Sequence, residues 1–318
     1  MRPSSRIFLS ILPAAASLLP LVAAAGTWPG WSGLKHMIVF GDSFTRIGYV
    51  PGSSPAPSSS NPLGVPAPGR PSSNGPNWLA YLTRTYNAQH TVLTHDLAAG
   101  GATVSRNLVA GPATAKMLNE QLAEWLPLVK GWTGNETLVA VWIGINDVRL
   151  GWQSDVQVES VVGEYFVQLQ RMYASGARNF LLLDVPDMTR SPESQALNGS
   201  ERAALGVYNT AYNSLLSQGA REFEAANDVV VFTFGMGEVA DDVLDRYTEF
   251  GISNTHEFCA AYENRQYNGN GDWETFVDAN CTAAVGKYYW LDKTHPTSTV
   301  HREWGRRLAG FLQAKAPQ

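Results

Sequence analysis

The stretch "HMIVFGDSFT", residues 36–45, joins a short apolar run to a turn that carries a single serine. The apolar run is typical of a strand that is buried on both faces of a sheet. Gly41, Asp42 and Ser43 are common turn residues, so the plainest interpretation is a turn. The alternative is a serine nucleophile at the carboxyl end of a strand, where the sites of open parallel sheets form.

Short apolar segments alternate with helical patterns along the whole chain. The candidate strands are His36–Phe40, Thr91–Leu97, Thr137–Ile143, Phe180–Val185 and Val229–Phe234. The candidate helices are Asn77–Tyr86, Ala115–Lys130, Asp155–Ser175, Glu201–Ala226, Gly237–Phe250 and Thr299–Ala316. This order predicts one α/β domain with a doubly wound, five-stranded parallel sheet and helices on both of its faces.

The first residues of the chain have the composition of a secretory signal peptide. Two arginines precede an apolar stretch that ends in three alanines, so we interpret residues 1–25 as a cleaved signal and residues 26–318 as the mature domain. The rival interpretation is a membrane anchor. No later segment reaches the ~18 apolar residues of a spanning helix, so we expect a secreted, extracellular protein without stable membrane insertion.

Composition and charge narrow the functional classes. The chain has 318 residues, of which 44% are hydrophobic, enough for a sizeable core. Its formal net charge is −5 and it has no basic block, which argues against a nucleic-acid partner. We expect a monomer.

Two segments interrupt the alternation of strands and helices. Residues 51–76 are rich in proline and serine and lie within the connection between the first candidate strand and the first candidate helix, after Ser43, so they are expected to be functional or disordered. Residues 254–291 hold Cys259 and Cys281, which we expect to form a disulfide in an oxidising compartment. Within that segment the polar positions are out of register for a calcium loop, so a glycine turn is predicted there. The positions concerned are Asn268, Asn270, Asp272 and Glu274.

Asn-x-Ser/Thr sequons add to the prediction of secretion. They predict glycosylation at Asn135, Asn198 and Asn280.

Candidate partners for the serine lie after the second and third strands and just before the last helix. In "LDKTHPT", residues 291–297, Asp292 stands three positions before His295, a spacing that lets the carboxylate reach one ring nitrogen while the other faces Ser43. The backbone N–H groups of Ser43 and Gly101 and the side-chain amide of Asn146 could stabilise an oxyanion. Each motif has a structural alternative: an N-cap with a surface histidine, a tight glycine turn, and a helix cap.

Taken together, four blocks resemble the GDSL, or SGNH, hydrolases. They are "FGDSFT", "DLAAGGAT", "VWIGINDV" and "DKTHPT", in that order between residues 40 and 297. The resemblance implies a flavodoxin-like SGNH fold, with Ser43, Asp292 and His295 as the catalytic residues and Ser43, Gly101 and Asn146 as the oxyanion hole. It also implies that no cofactor is needed, and no clustered metal-ligand motif appears.

More narrowly, "SSNGPNWLAYL" (72–82), "GGATVS" and "IGINDV" resemble fungal secreted esterases of carbohydrate esterase family 16. That resemblance implies removal of acetyl groups from hemicellulose or xylo-oligosaccharides. Two departures are Asp96, where the family commonly has asparagine, and Lys293-Thr294, where an aromatic residue is expected.

Asp42, Trp78 and Trp142 are candidate substrate-binding residues, although Asp42 is better suited to fixing the turn. The alternatives are a lipase or lysophospholipase on the same scaffold, and a non-catalytic sugar-binding protein.

Overall fold

The computed structural model describes residues 27–87, 90–263 and 271–318. The predicted signal peptide, residues 1–25, lies outside the described residues, as do Asn268 and Asn270 of the polar segment. Within the described part of the chain, no helix combines the length and apolar character needed to cross a membrane.

Five parallel strands form one sheet in the order β2-β1-β3-β4-β5. The strands are β1 (His36–Gly41), β2 (Leu93–Asp96), β3 (Thr137–Trp142), β4 (Asn179–Leu183) and β5 (Val230–Phe234). The register places His36 opposite both Leu93 and Thr137, so β1 has a parallel neighbour on each side. The predicted doubly wound α/β fold is confirmed, and Ser43 lies just beyond the carboxyl end of β1.

Helices connect and cover the strands. They are α1 (Trp78–Ala80), α2 (Leu118–Glu120), α3 (Ile145–Gly151), α4 (Val158–Ala174), α5 (Pro192–Gln195), α6 (Gly199–Ala226), α7 (Met236–Asp245), α8 (Ala260–Glu263) and α9 (Ser298–Gln313). The long α6 begins with a capping box, in which Asn198 accepts from the Glu201 N–H and Glu201 accepts from the Asn198 N–H.

Two predicted helices are wrong in detail. Residues 115–130 do not form one helix, because α2 is followed by a π-helical turn, Gln121–Trp125, and a 3₁₀ turn, Leu126–Leu128. Pro127 has no N–H to continue a helical ladder at that point. Residues 77–86 likewise change from α1 to a π-helical turn, Tyr81–Thr85. Such π turns add a residue to the helix and are not visible in hydrophobic periodicity.

The described residues of the two unusual segments pack onto the domain. In the proline- and serine-rich segment, Leu63 is fully buried, and the carbonyl of Pro62 accepts from the Thr94 N–H at 2.8 Å. In residues 254–291, Cys259 and Cys281 form the predicted disulfide. The segment also contributes Trp290, whose indole N–H donates to the Thr255 carbonyl at 2.9 Å. This packing places residues 291–295 at the same edge of the sheet as Ser43.

Candidate active site

The turn after β1 carries the partly exposed Ser43 and is held by hydrogen bonds to the buried Asp42. The Phe44 N–H donates to the Asp42 carboxylate at 2.9 Å, and the Arg46 N–H donates to the Asp42 carbonyl at 2.9 Å. Asp42 is fully buried, whereas Ser43 is partly exposed. These contacts confirm that Asp42 fixes the turn by hydrogen bonds.

His295 lies within hydrogen-bond distance of both Ser43 and Asp292. Its Nε2 lies 2.7 Å from the Ser43 Oγ, and its Nδ1 lies 2.7 Å from an Asp292 carboxylate oxygen. With Nδ1–H donating to the carboxylate, Nε2 is left to accept the proton of the serine hydroxyl. The structure therefore joins the three predicted side chains in one chain of hydrogen bonds.

The turn that begins at Asp292 stabilises the ionised form of its side chain. Its Oδ1 accepts from the backbone N–H groups of Thr294 and His295, each at 2.7 Å, while its Oδ2 faces the imidazole. Burial raises the pKa of Asp292, but the hydrogen bonds and charge of His295 outweigh it, so the pKa lies below its usual value. The carboxylate can therefore orient the ring and stabilise an imidazolium.

Two backbone donors remain open near the serine. Among the described residues, the N–H groups of Ser43 and Gly101 donate to no acceptor. Gly101 has φ +79, and a Cβ there would lie 2.8 Å from the ring carbons of Pro112, so only glycine fits. The loop carrying Gly101 is tied to the Ser43 turn, because the Ala99 N–H donates to the Gly41 carbonyl at 3.1 Å.

Asn146 projects its amide beside the same loop. Its Nδ2 donates to the Ala102 carbonyl at 2.9 Å, which leaves its second N–H available. Asn146 lies in the first turn of α3, which starts after Gly144 at φ +122. A Cβ at Gly144 would lie 2.5 Å from the Tyr212 hydroxyl oxygen, so this approach requires glycine. The structure thus brings all three predicted oxyanion donors to loops that contact one another.

Three fully buried carboxyls support these loops. Burial raises the pKa of Asp42 to about 8, of Asp96 to about 7 and of Asp147 to about 7. Asp96 accepts from the N–H groups of Ile47 and Ala98, at 2.6 and 3.1 Å, and so ties the turn after β1 to the loop after β2. Asp147 accepts from the Val104 N–H. The Asp96 departure from the family pattern is therefore accommodated as a structural acceptor.

The substrate-binding roles predicted for Trp78, Trp142 and Asp42 are wrong. All three side chains are fully buried and present no face to a sugar. The two indoles pack edge to face with centroids 5.9 Å apart, and Trp142 donates to the Asp184 carbonyl. They form the hydrophobic layer beneath the turn that carries Ser43, because apolar strand and helix residues here face the core.

Sequence motifs miss several residues that hold the site. Gln121 clamps Gly41, donating to its carbonyl at 2.8 Å and accepting from its N–H at 3.2 Å. Arg149 and Glu193 form an ion pair beside Asn146 and the His295 turn. The only sequence signal is that Arg149 follows Asn146 by three residues, which places both on one face of a helix. Nothing local connects Glu193 or Gln121 to the site.

The predicted glycosylation sites have accessible side chains. Asn135, Asn198 and Asn280 are all exposed. Asn198 uses its Oδ1 to cap α6, so its Nδ2 stays available. Glycosylation at these positions stays a prediction. Among the described residues, no group of three or more His, Cys, Asp or Glu side chains is arranged to hold a metal ion.

A comparison with known families matches this architecture. The family model for GDSL-like lipase/acylhydrolase covers residues 37–308, which include every block described above. The chain belongs to the GDSL-like lipase/acylhydrolase family. Together with the acetylesterase relative described next, this membership makes the protein a carboxylic ester hydrolase.

Relatives of this GDSL hydrolase carry different activities. An acetylesterase of Thermothelomyces thermophilus is 34% identical over 284 residues, covering 84% of this chain and 85% of that protein. A phosphatidylcholine-sterol acyltransferase of Aeromonas hydrophila is 24% identical over 353 residues, covering 94% of this chain and 96% of its own. A solved structure from Parabacteroides merdae, described as a GDSL-like lipase, has a TM-score of 0.51 at 12% identity, covering 88% and 97% of the two chains. That last likeness concerns the fold alone.

Proposed function

We propose that this GDSL hydrolase is a secreted acetylesterase that releases acetate from acetylated carbohydrates. The observation that carries the proposal is the hydrogen-bonded chain from Ser43 through His295 to Asp292, with both links at 2.7 Å. The likeness to a fungal acetylesterase over most of the chain supports acetyl as the acyl group.

In the proposed first half-reaction, the Ser43 oxygen attacks the ester carbonyl carbon. The hydroxyl proton moves to Nε2 of His295, and Asp292 stabilises the resulting imidazolium. The tetrahedral intermediate collapses when the bond to the leaving alcohol breaks. Nε2 then returns the proton to the alcohol oxygen, leaving an acyl group on Ser43.

The negative charge of the tetrahedral intermediate falls on the former carbonyl oxygen. The open N–H groups of Ser43 and Gly101 and the second amide N–H of Asn146 are the proposed donors to it. Donors that are already in place stabilise this charge without reorganising during the reaction.

In the second half-reaction, water takes the place of the alcohol. His295 removes a proton from water as the water oxygen attacks the acyl carbon, and the same three donors hold the second oxyanion. Cleavage of the bond to the Ser43 oxygen releases acetate, and Nε2 returns the proton to the serine. These steps use only side chains, backbone N–H groups and water.

Secretion is proposed on the sequence at the start of the chain and on two further features. The disulfide between Cys259 and Cys281 is favoured by an oxidising compartment. The three exposed sequons are suited to a chain that passes through a glycosylating pathway.

A lipid ester is the second candidate substrate. The likeness to a phosphatidylcholine-sterol acyltransferase over 94% of the chain favours it. The burial of Trp78 and Trp142 removes two proposed sugar contacts, which leaves the alcohol side of the ester unassigned to specific residues.

Acetate release from acetylated xylo-oligosaccharides tests the carbohydrate substrate. We expect the purified parent to release acetate and the folded Ser43→Ala variant to release none above background. A p-nitrophenyl ester series gives the acyl preference, and we expect turnover to fall with chain length beyond acetyl. No release from the sugars, together with preference for acyl chains of about eight carbons or more, would overturn the carbohydrate proposal in favour of lipid.

A further inference from the structure

The carboxylate of Glu193 lies between the His295 turn and the helix that carries Asn146. Glu193 belongs to α5, whose start is defined by Pro192 in its first turn and by the Ser191 hydroxyl, which accepts from the Ser194 N–H. The Glu193 side chain is 30% exposed, and no part of it belongs to the four sequence blocks.

On one side, Glu193 binds the turn between Asp292 and His295, the proposed base. Its N–H donates to the Lys293 carbonyl at 2.9 Å, and its carboxylate lies 3.1 Å from the Lys293 ammonium. The Thr294 hydroxyl donates to the same carboxylate at 3.2 Å. The two residues between Asp292 and His295 are therefore both bound to Glu193, which gives a role to the departure from the family pattern at 293–294.

On the other side, Glu193 holds Arg149 of α3. The Arg149 Nη1 lies 3.1 Å from each carboxylate oxygen of Glu193. Its Nη2 lies 3.5 Å from the Asn146 Oδ1, so the guanidinium favours the amide oxygen on that side. The amide nitrogen then faces the Ala102 carbonyl and the open position beside the serine.

The charge of Glu193 is maintained by its partners. Burial raises its pKa, but the positive charges of Arg149 and Lys293 outweigh that effect and hold the pKa below its usual value. The carboxylate can therefore accept from all three neighbours at once.

We propose that Glu193 is a positioning residue that couples the orientation of the Asn146 amide to that of the Asp292–His295 turn. The proposal rests on the catalytic roles assigned above. Glu193 contacts neither Ser43 nor the position of the ester. It acts by fixing the Asn146 amide and the His295 ring relative to each other.

A double-mutant cycle tests the coupling. The variants are Glu193→Ala, Arg149→Ala and their double, and the readouts are kcat and KM for p-nitrophenyl acetate, the rate of fluorophosphonate labelling of Ser43, and thermal unfolding. We expect each single variant to lower kcat about 10-fold with KM changed less than about twofold, because small displacements of catalytic groups cost turnover and not ground-state binding. We expect the double to cost no more than about the larger single effect.

Two further variants separate coupling from general destabilisation. Glu193→Gln keeps an acceptor oxygen, and we expect it to recover part of the lost kcat. Glu274→Ala is the matched control, because Glu274 is 28% exposed and pairs with Arg302 through both carboxylate oxygens. We expect the control to leave kcat and labelling within about twofold of the parent.

Unchanged labelling and kcat in Glu193→Ala would overturn the proposal, as would single effects that multiply in the double variant. If the alanine variant does not fold, Glu193→Gln and Arg149→Lys provide the same cycle. None of these readouts uses a sugar. A protein that hydrolyses p-nitrophenyl acetate and not acetylated sugars would therefore refute the carbohydrate substrate and leave the coupling to be judged on its own data.

Discussion

The turn that carries Ser43 and the turn that carries His295 are held by different kinds of contact. The first rests on buried groups: Asp42 and Asp96 are fully buried and bind backbone N–H groups. The second lies near the surface, where the side chains of Asp292 and His295 are 17% and 23% exposed. It is held by the Asp292 carboxylate and by Glu193 outside it.

This difference predicts different consequences of substitution. The nucleophile turn shares its supports with the hydrophobic core, so changes there should alter folding stability together with activity. The base turn is held by partly exposed ion pairs, which contribute little to stability. Changes there should alter turnover while the protein stays folded.

The largest effect among these variants is expected at Asn146, which donates to the Ala102 carbonyl of the Gly101 loop and lies beside Arg149. Asn146→Ala removes one proposed oxyanion donor, and we expect kcat to fall on the order of 10²- to 10³-fold with little change in KM. Steady-state kinetics with p-nitrophenyl acetate measure it. Near-normal kcat would remove Asn146 from the proposed oxyanion hole.

A matched control for Asn146 lies at the opposite end of the sheet. Asn179 is buried like Asn146 and donates to the Gly134 carbonyl at 3.0 Å, but it lies at the amino end of β4. We expect Asn179→Ala to lower stability, because it leaves buried acceptors unsatisfied, while the folded fraction keeps its kcat within about twofold.

A smaller effect is expected in the pH dependence of stability, and it should follow the fully buried carboxyls and not the turn that carries His295. Asp42, with a pKa raised to about 8, is neutral in the fold below that pH, whereas the unfolded chain is already ionised above the ordinary value of 3.8. Its stabilising contribution is therefore lost progressively as pH rises from about 3.8 to about 8, and those of Asp96 and Asp147 are lost in the same way by about pH 7.

Buried histidines oppose this trend only at lower pH. Burial lowers the pKa of His95 to about 4 and of His301 to about 3. Their contribution to the free energy of unfolding therefore increases as pH rises toward 6.5 and is constant above that pH. We therefore expect the urea midpoint to fall between about pH 6.5, where the histidine contribution ends, and about pH 8, where Asp42 becomes ionised in the fold. Asp42→Asn should flatten that fall, and Glu193→Gln should not, because the Glu193 pKa is lowered. A midpoint that is independent of pH over this range would contradict the buried-carboxyl account.

The strands and helices could be predicted from the sequence where local residue patterns determine them. Apolar runs such as Thr137–Ile143 predicted strands correctly, since a strand that is buried on both faces needs such residues. The apolar pattern did not predict that Pro127 and a π turn interrupt the helix over residues 115–130, because the apolar stripe continues through the interruption.

The site was partly predictable for a similar reason. Ser43, Gly101 and Asn146 each stand in a short motif after a strand, whereas Asp292 and His295 stand in a motif before the last helix. The structure joins Ser43, His295 and Asp292 by hydrogen bonds and places Asn146 against the loop that carries Gly101. Glu193 lies 101 residues from Thr294 in the chain, and only the tertiary fold brings them together. Trp78 and Trp142 misled the interpretation, because an aromatic residue near a site motif serves equally well as core.

The most direct test of the central claim is the identity of the nucleophile. The folded protein would be treated with a fluorophosphonate while esterase activity is followed, and the modified peptide would then be located by mass spectrometry. We predict one label per chain, on Ser43, with activity lost in proportion to labelling and no label when the protein is first unfolded in urea. Complete inactivation with the label elsewhere, or full activity with Ser43 labelled, would contradict the account.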